Sequence, residues 1–288
     1  YDPSGTGYTP EQKAVVLPIV LAAFHTCFNV TNTFVLIWFI PQIEKIVCMI
    51  IKPKPNSDDE DFRLRFIQSG IMKTPEFSVL EASKEIHSFA DRIHRMFGMV
   101  RELLNEKEGD AFVKLFSRIE KYEGISDSME IEIAKYLDQV SDAHLSDETK
   151  DKVRAMLREI SELESIGDAC YNMARIINRK RSGKEEFTDD QYNHLHQMFE
   201  LTDDALDQMT RTLVTHRNNV DVNRSFNIEN ELNNYRDQLK NQNINDVNDH
   251  KYSYAIGTMY MDLISECEHL GDYVVNVVEA RMGLKQHE

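Results

Sequence analysis

A polar stretch of 13 residues occurs twice in the chain, 104 residues apart. The stretches Ile160–Asn172 and Ile264–Asn276 are identical at seven positions, whereas residue frequencies of a few per cent would give roughly one identity by chance. Both stretches lie in segments whose apolar residues recur at helical spacing. The sequence therefore predicts an internal duplication, in which one helical unit is present twice.

Six long helices are predicted after residue 73, three in each copy of the unit. Their ends carry residues that commonly begin or terminate helices. The first helix begins at Thr74 and Pro75 and ends at Gly109, the third lies between Ser146 and Gly183, and the fourth begins with a capping box of Thr188 and Gln191. The second helix is predicted at about 110–140, the fifth at roughly 222–241, and the sixth from near 245 to Gly283. No strand alternation is present, so we predict an all-α fold with repeats at about 74–184 and 188–284.

The N-terminal part contains a run of 27 residues, Ala14 to Ile40, without Asp, Glu, Lys or Arg. A membrane-spanning helix needs about 20 mostly apolar residues, and a signal-peptide core is shorter than this run. Lys45, Lys52 and Lys54 follow the run and Lys13 alone precedes it, which predicts a cytoplasmic C-terminal side. The sequence thus predicts a membrane span, and a core helix of a soluble domain is the alternative.

Polar residues occupy the middle of this predicted span, among them His25, Asn29, Thr31 and Asn32. Such groups in a membrane face protein or a water-filled cavity, so we expect the span to belong to a larger helical bundle and the chain to be part of a longer protein. An interfacial helix is predicted after Pro41. We divide the chain into a C-terminal piece of a membrane domain at 1–52, a Pro- and acid-rich linker at 53–73, and a soluble domain at 74–288.

The chain carries 33 basic and 49 acidic side chains, a net charge of -16. This balance argues against a nucleic-acid partner, because such proteins neutralise phosphates with Lys and Arg. It is compatible with cation binding. The four cysteines are far apart and form no C-x-x-C pair, so neither a zinc knuckle nor a disulfide framework is indicated.

Pairs of acidic residues four positions apart mark the third and sixth predicted helices. Residues at this spacing share a helix face, where two carboxylates repel each other unless a cation lies opposite. The pairs are Glu164 with Asp168 and Glu268 with Asp272, while the second helix adds Glu123 with Asp127 and the fifth adds Glu229 with Asn233. Oxygen-only clusters suit Mg, Mn, Ca, iron or zinc. Acidic pairs that only line a solvated face are the alternative, since exposed carboxylates are common.

Two further residues recur beside each acidic pair. Asn172 and Asn276 extend the acidic face by one turn, and Gly167 and Gly271 lie in mid-helix. A glycine there costs about 1 kcal/mol relative to alanine. We therefore expect the glycines to allow the close approach of another backbone or of a bound ion.

The doubled E-x-x-G-D-x-x-x-N pattern, at Glu164–Asn172 and Glu268–Asn276, resembles the PhoU family. The segment KTPEFSVLEASKEI is similar to the entry into the first helix of a PhoU-type domain. The stretch AAFHTCFNVTNTFVLIWFIPQIEKIV resembles the last membrane segment of bacterial sodium/phosphate cotransporters, which carry a PhoU-like domain at their C-terminus.

This resemblance implies sodium-driven phosphate symport by the complete protein, located in the inner (plasma) membrane, with a cytoplasmic regulatory domain after about residue 52. It also implies metal clusters of iron, zinc, Mn or Mg in that domain. The implied ligands are Glu123, Asp127, Glu164, Asp168, Glu268 and Asp272, with Glu229 a weaker one because Asn233 stands where an acid is expected. A second copy of the chain is a candidate partner.

Two other functions compete with this one. The first is a membrane-anchored metal-binding regulator of phosphate homeostasis that does not transport. The second is a di-iron carboxylate enzyme, suggested by the E-x-x-H of Glu266 and His269. Such enzymes need this motif on two helices, and Ser165 replaces the histidine in the other copy, so we expect no enzyme.

Overall fold

The computed structural model describes residues 9–37, 64, 66, 67, 74–142, 145–183, 186–215 and 221–283. Within these residues the chain is helical and contains no strand. The helices are α1 (Pro10–Ile37), α2 (Pro75–Asn105), α3 (Gly109–Ser141), α4 (Asp147–Ser182), α5 (Asp189–Val214), α6 (Val222–Asn248) and α7 (Tyr254–Met282). The all-α prediction is confirmed. The chain divides into two compact units, Tyr1–Asp59 and Glu60–Glu288.

The first unit contains α1. Its described side chains, at positions 17–34, are exposed except for a half-buried Val20, which does not fit the alternative of a core helix in a soluble domain. Asn29 and His25 are hydrogen-bonded at 3.2 Å, and Thr31 and Asn32 are exposed. In the part of the chain that the structure describes, no helix is both long enough and apolar enough to cross a membrane.

The predicted membrane span at 14–40 is therefore not supported. The polar side chains in its middle reduce the apolar character of α1. Residues 38–40, the helix expected after Pro41 and most of the linker lie outside the described residues. Of the linker, Phe66 is described, and its backbone N–H donates to Glu85 Oε2 at 2.7 Å.

The second unit contains the six predicted helices, and most of their ends match the prediction. The Thr188–Gln191 capping box is present, and the Ser146 side chain accepts a hydrogen bond from the backbone of Thr149. Thr74 precedes Pro75 as predicted but makes no capping bond through its side chain.

The boundary between α6 and α7 differs from the prediction. Helix α6 continues to Asn248 rather than to about 241, and α7 begins at Tyr254 rather than near 245. The reason is local: the chain breaks at His250, which has a φ of 58°, and the Ser253 side chain then caps α7 by accepting from Ile256 N.

The six helices form two three-helix bundles, α2–α3–α4 and α5–α6–α7. Helix α4 also packs against α7, and α2 against α5, so the two bundles share one hydrophobic core. Phe97 of α2 and Phe199 of α5 meet in this core with their ring centroids 5.6 Å apart. The two helices that carry the repeated motif, α4 and α7, therefore lie at the centre of the unit.

Candidate functional site

The first acidic cluster consists of Glu123, Asp127 and Glu130 on α3 and of Glu164 and Asp168 on α4. Carboxylate oxygens of Glu123, Asp127 and Asp168 lie within 4.8 Å of one another, with Glu123 and Asp127 half-buried and Asp168 exposed. Three oxygens this close can reach one cation between them. Within the described residues, no second group of three potential metal ligands has this spacing.

Burial and mutual repulsion raise the pKa values in the first acidic cluster. Burial, and then the charges of Asp168, Glu130 and Asp127, raise the pKa of Glu164 to about 7. The pKa of Glu123 is raised by burial and by Asp127 and Asp168. The pKa of Asp168 is raised by burial and by Asp127, against the effect of a hydrogen bond with Glu164. A cation would favour the ionised form of each group.

The close packing of α4 at Gly167 brings these acids together. A Cβ atom on Gly167 would lie 3.1 Å from Ile93 Cδ1 of α2 and 3.3 Å from Ser126 Oγ of α3. Ser126 and Gly167 directly precede Asp127 and Asp168, so their contact sets the two carboxylates side by side. The space above Gly167 thus receives side chains of neighbouring helices rather than another backbone or an ion.

The second acidic cluster, between α6 and α7, contains Glu229, Asn233, Arg236, Glu268 and Asp272. Arg236 Nη1 donates to Glu268 Oε1 at 2.6 Å, and the Asn233 amide donates to Glu229. Burial is the largest cause of the raised pKa values of Glu229, Glu268 and Asp272. Three of the predicted ligands are therefore near one another, but an arginine of the same chain lies among them.

Gly271 has a similar packing role to Gly167. A Cβ atom there would lie 2.7 Å from Leu232 Cδ1 of α6. The repeated glycine thus sets the approach of the second helix of each bundle to the third.

Asn172 and Asn276 lie at the contact between α4 and α7, which we call the inter-repeat interface. Asn276 Nδ2 donates to Glu162 Oε2 at 3.1 Å, and Asn172 makes the equivalent hydrogen bond with Glu266. The two bonds are reciprocal, because each repeat supplies one amide and one carboxylate. The asparagines therefore hold the repeats together and do not extend the acidic faces.

Glu130, Arg236 and Glu162 were not among the predicted site residues, and Glu266 was predicted only as part of the E-x-x-H. A shift of 106 residues places Glu123 on Glu229, Asp127 on Asn233 and Glu130 on Arg236. Aligning the second helices in this way would have revealed the exchange of an acid for a base. The two residues of the E-x-x-H lie in different places. Glu266 is hydrogen-bonded to Asn172 at the inter-repeat interface, whereas His269 Nε2 lies 3.6 Å from Glu268 Oε2 of the second acidic cluster.

No protein-family model matches the chain, and no curated protein sequence matches it significantly. Among solved structures, the phosphate transport system regulatory protein PhoU from Streptococcus pneumoniae is similar, with a TM-score of 0.61. The two sequences are 16% identical, and the match covers 72% of this chain and 95% of the other. The chain therefore has a PhoU-like helical fold.

Proposed function

We propose that the chain regulates phosphate transport and is not an enzyme. The observation that carries this proposal is the PhoU-like fold, because the similar structure is that of a phosphate transport regulator. The net negative charge supports a regulatory role rather than a role in binding phosphate. A net charge of -16 repels phosphate rather than concentrating it.

The first acidic cluster is the proposed regulatory metal site. Glu123, Asp127 and Asp168 would hold the cation, and Glu164 would join them after losing its proton. Oxygen donors suit Mg, Mn, iron or zinc, and the bound ion would supply positive charge among these carboxylates. Since α3 and α4 each contribute carboxylates, their mutual repulsion is greatest when the cluster is fully ionised and metal-free.

Regulation then follows from a shift between two states of the first bundle. With its carboxylates neutralised, α3 can pack closely on α4, and without this neutralisation their repulsion favours a looser arrangement. A transport partner that binds one arrangement more tightly would respond to the state of the cluster. This scheme requires only a difference in affinity between the two arrangements.

The test compares Asp168→Asn with Asp138→Asn in the native host. Asp138 is an exposed carboxylate on α3 outside the cluster, so it is a matched control. We expect Asp168→Asn to lower the metal content of the purified protein and to alter the control of labelled phosphate uptake by external phosphate. The control variant should change neither. Equal metal content and equal uptake control in both variants would overturn the proposal.

A finer proposal is that the complete protein is a sodium/phosphate symporter of the inner membrane, with residues after about 52 in the cytoplasm. The observation that favours it is α1, which exposes large apolar side chains, including Leu21, Phe24 and Phe28, and therefore needs an apolar partner. Sodium would be the coupling ion and inorganic phosphate the substrate.

Uptake of labelled phosphate by the complete protein, with sodium replaced by choline, tests this finer proposal. Loss of uptake without sodium is the expected result. Truncation after Pro55 should retain sodium-dependent uptake but change its control. Uptake that does not depend on the protein would instead favour a membrane-anchored regulator without transport activity.

A further inference from the structure

The two acidic clusters differ in charge at two equivalent positions of the second helix, and at one of them an acid is exchanged for a base. Glu130 and Arg236 are equivalent in the two repeats, and each lies next to the corresponding glutamate of the third helix. Glu130 raises the pKa of Glu164, whereas Arg236 is hydrogen-bonded to Glu268. The first cluster has five carboxylates and no base. The second has three carboxylates, an amide and a guanidinium, and the imidazole of His269 lies beside it, with Nε2 3.6 Å from Glu268 Oε2.

Arg236 pairs with Glu268 inside the cluster, and its Nε also donates to the adjacent, exposed Asp237 at 3.1 Å. The Glu268 side chain is 11% exposed and that of Arg236 is 29% exposed, so the pair is largely shielded from solvent. The short 2.6 Å bond between them is of the charge-assisted kind. Arginine is always charged in proteins, so this counter-ion is not lost by a change of pH.

We propose that Arg236 takes the place of a metal ion in the second acidic cluster and thereby confines metal binding to the first. The confinement rests on the proposed metal site in the first cluster. A tethered guanidinium competes with free cations at a high effective concentration, and it cannot be removed by chelation. Asn233 adds to this effect, because its amide donates to Glu229 where Asp127 offers a carboxylate in the other repeat.

The main test rebuilds the first cluster in the second repeat. The double variant Asn233→Asp with Arg236→Glu restores the acids that occupy the equivalent positions of α3. We expect it to about double the metal bound per chain, measured by elemental analysis after dialysis against Mn²⁺. In an Asp168→Asn background the same double variant should regain the metal that Asp168→Asn loses. The converse variant, Glu130→Arg, should lose metal although it removes none of the three close ligands.

A second measurement is independent of metal binding. In chelator, Arg236→Met should lower the urea midpoint of unfolding, because Glu268 loses its closest counter-ion. Adding Glu268→Gln to Arg236→Met should restore most of that midpoint, since Glu268 is the most buried carboxylate of the cluster and its charge is then removed. Circular dichroism of each variant shows whether it is folded. If the Asn233→Asp and Arg236→Glu double variant is unfolded even in Mn²⁺, a metal ion cannot replace Arg236, and the proposal is contradicted.

The outcomes separate the two proposals. If wild type binds no metal, the proposed metal site fails, while the Arg236–Glu268 cycle still tests the counter-ion. If the Glu268→Gln variant binds less metal than the wild type does, metal occupies the second cluster and its confinement to the first is wrong. Equal urea midpoints of unfolding for the wild type and Arg236→Met in chelator would also overturn the proposal that Arg236 replaces a metal ion.

Discussion

Glu164 links protonation to stability and, in the proposed metal site, to cation binding. Its pKa is raised from an ordinary value of 4.5 to about 7, so the folded chain keeps a proton that the unfolded chain releases. For an acid shifted in this direction, the folded state is favoured at low pH and loses that advantage as pH rises from about 4.5 to 7. A bound cation acts in the opposite sense because it favours the ionised carboxylate.

We therefore predict that, in chelator, the free energy of unfolding falls between pH 4.5 and 7 and that Glu164→Gln reduces this fall. Because Glu164 is only half-buried, its share should be on the order of 1 kcal/mol rather than that of a fully buried group. Urea unfolding at several pH values measures it. Part of the slope should remain in the variant, since burial also raises the pKa of Glu159 to about 7. Parallel curves for wild type and variant would contradict this prediction.

The same residue gives a second expectation in the presence of metal. If the first acidic cluster binds Mn²⁺, saturating Mn²⁺ should stabilise the protein more at pH 7 than at pH 5, because protons compete for Glu164 and its neighbours. Thermal melting at the two pH values, with and without the ion, measures the difference. A metal effect of the same size at both pH values would argue against carboxylate ligation.

At the scale of the helices, the sequence predicted ends best where a specific residue marks them. Thr188 with Gln191 and Ser146 both appear as caps in the structure. The end of α6 was missed because the polar run after residue 241 contains no Gly or Pro and remains helical as far as Asn248. The turn at His250 contains no glycine, the residue type that most strongly predicts a positive φ.

Only those parts of the candidate site that lie on a single helix could be predicted from the sequence. Acids four positions apart on one helix, such as Glu164 and Asp168, can be recognised from spacing alone. Their neighbours on the next helix depend on how the helices are aligned, and this alignment is set by contacts such as that of Gly167 with Ser126. The position of Arg236 against Glu268 therefore required the structure.

The packing of α7 on α6 gives a prediction about glycine. In Gly271→Ala the new Cβ would lie 2.7 Å from Leu232 Cδ1. Leu232 is fully buried, so the end of its side chain has little room to move aside, and the overpacking should outweigh the better helix propensity by about 1 kcal/mol. The matched control is Gly98→Ala in α2, where a Cβ would have no atom within 4 Å, and this variant should gain up to about 1 kcal/mol. Urea unfolding measures both, and equal gains would mean that Gly271 has no packing role.

At the scale of the molecule, the inter-repeat interface determines whether the two bundles unfold as one. It joins α4 to α7 through two reciprocal hydrogen bonds, Asn276 with Glu162 and Asn172 with Glu266. Arg101 and His94 of α2 also bind Asp203 of α5, at 2.6 and 3.0 Å. These contacts, together with the shared core, favour one cooperative transition.

We predict that Asn276→Asp lowers the free energy of unfolding by about 1–3 kcal/mol at neutral pH, because it places a second carboxylate against Glu162. The loss should shrink at acidic pH as the carboxyls take up protons. Asn234→Asp, at an exposed amide of α6, is the control and should have little effect. With Asn172→Asp added, unfolding should separate into two transitions in calorimetry; a single unshifted transition would contradict this.

The reciprocity of the inter-repeat interface also bears on how such a chain arose. Each repeat carries both the amide and the carboxylate that its partner repeat needs, so two copies of one half satisfy each other in the same way. A fragment of residues 74–183 expressed alone should therefore associate with itself, and Asn172→Ala should weaken that association in sedimentation measurements. The predicted duplication would have joined two such halves, and their fusion would have left each half free to acquire a different charge beside its own glutamates.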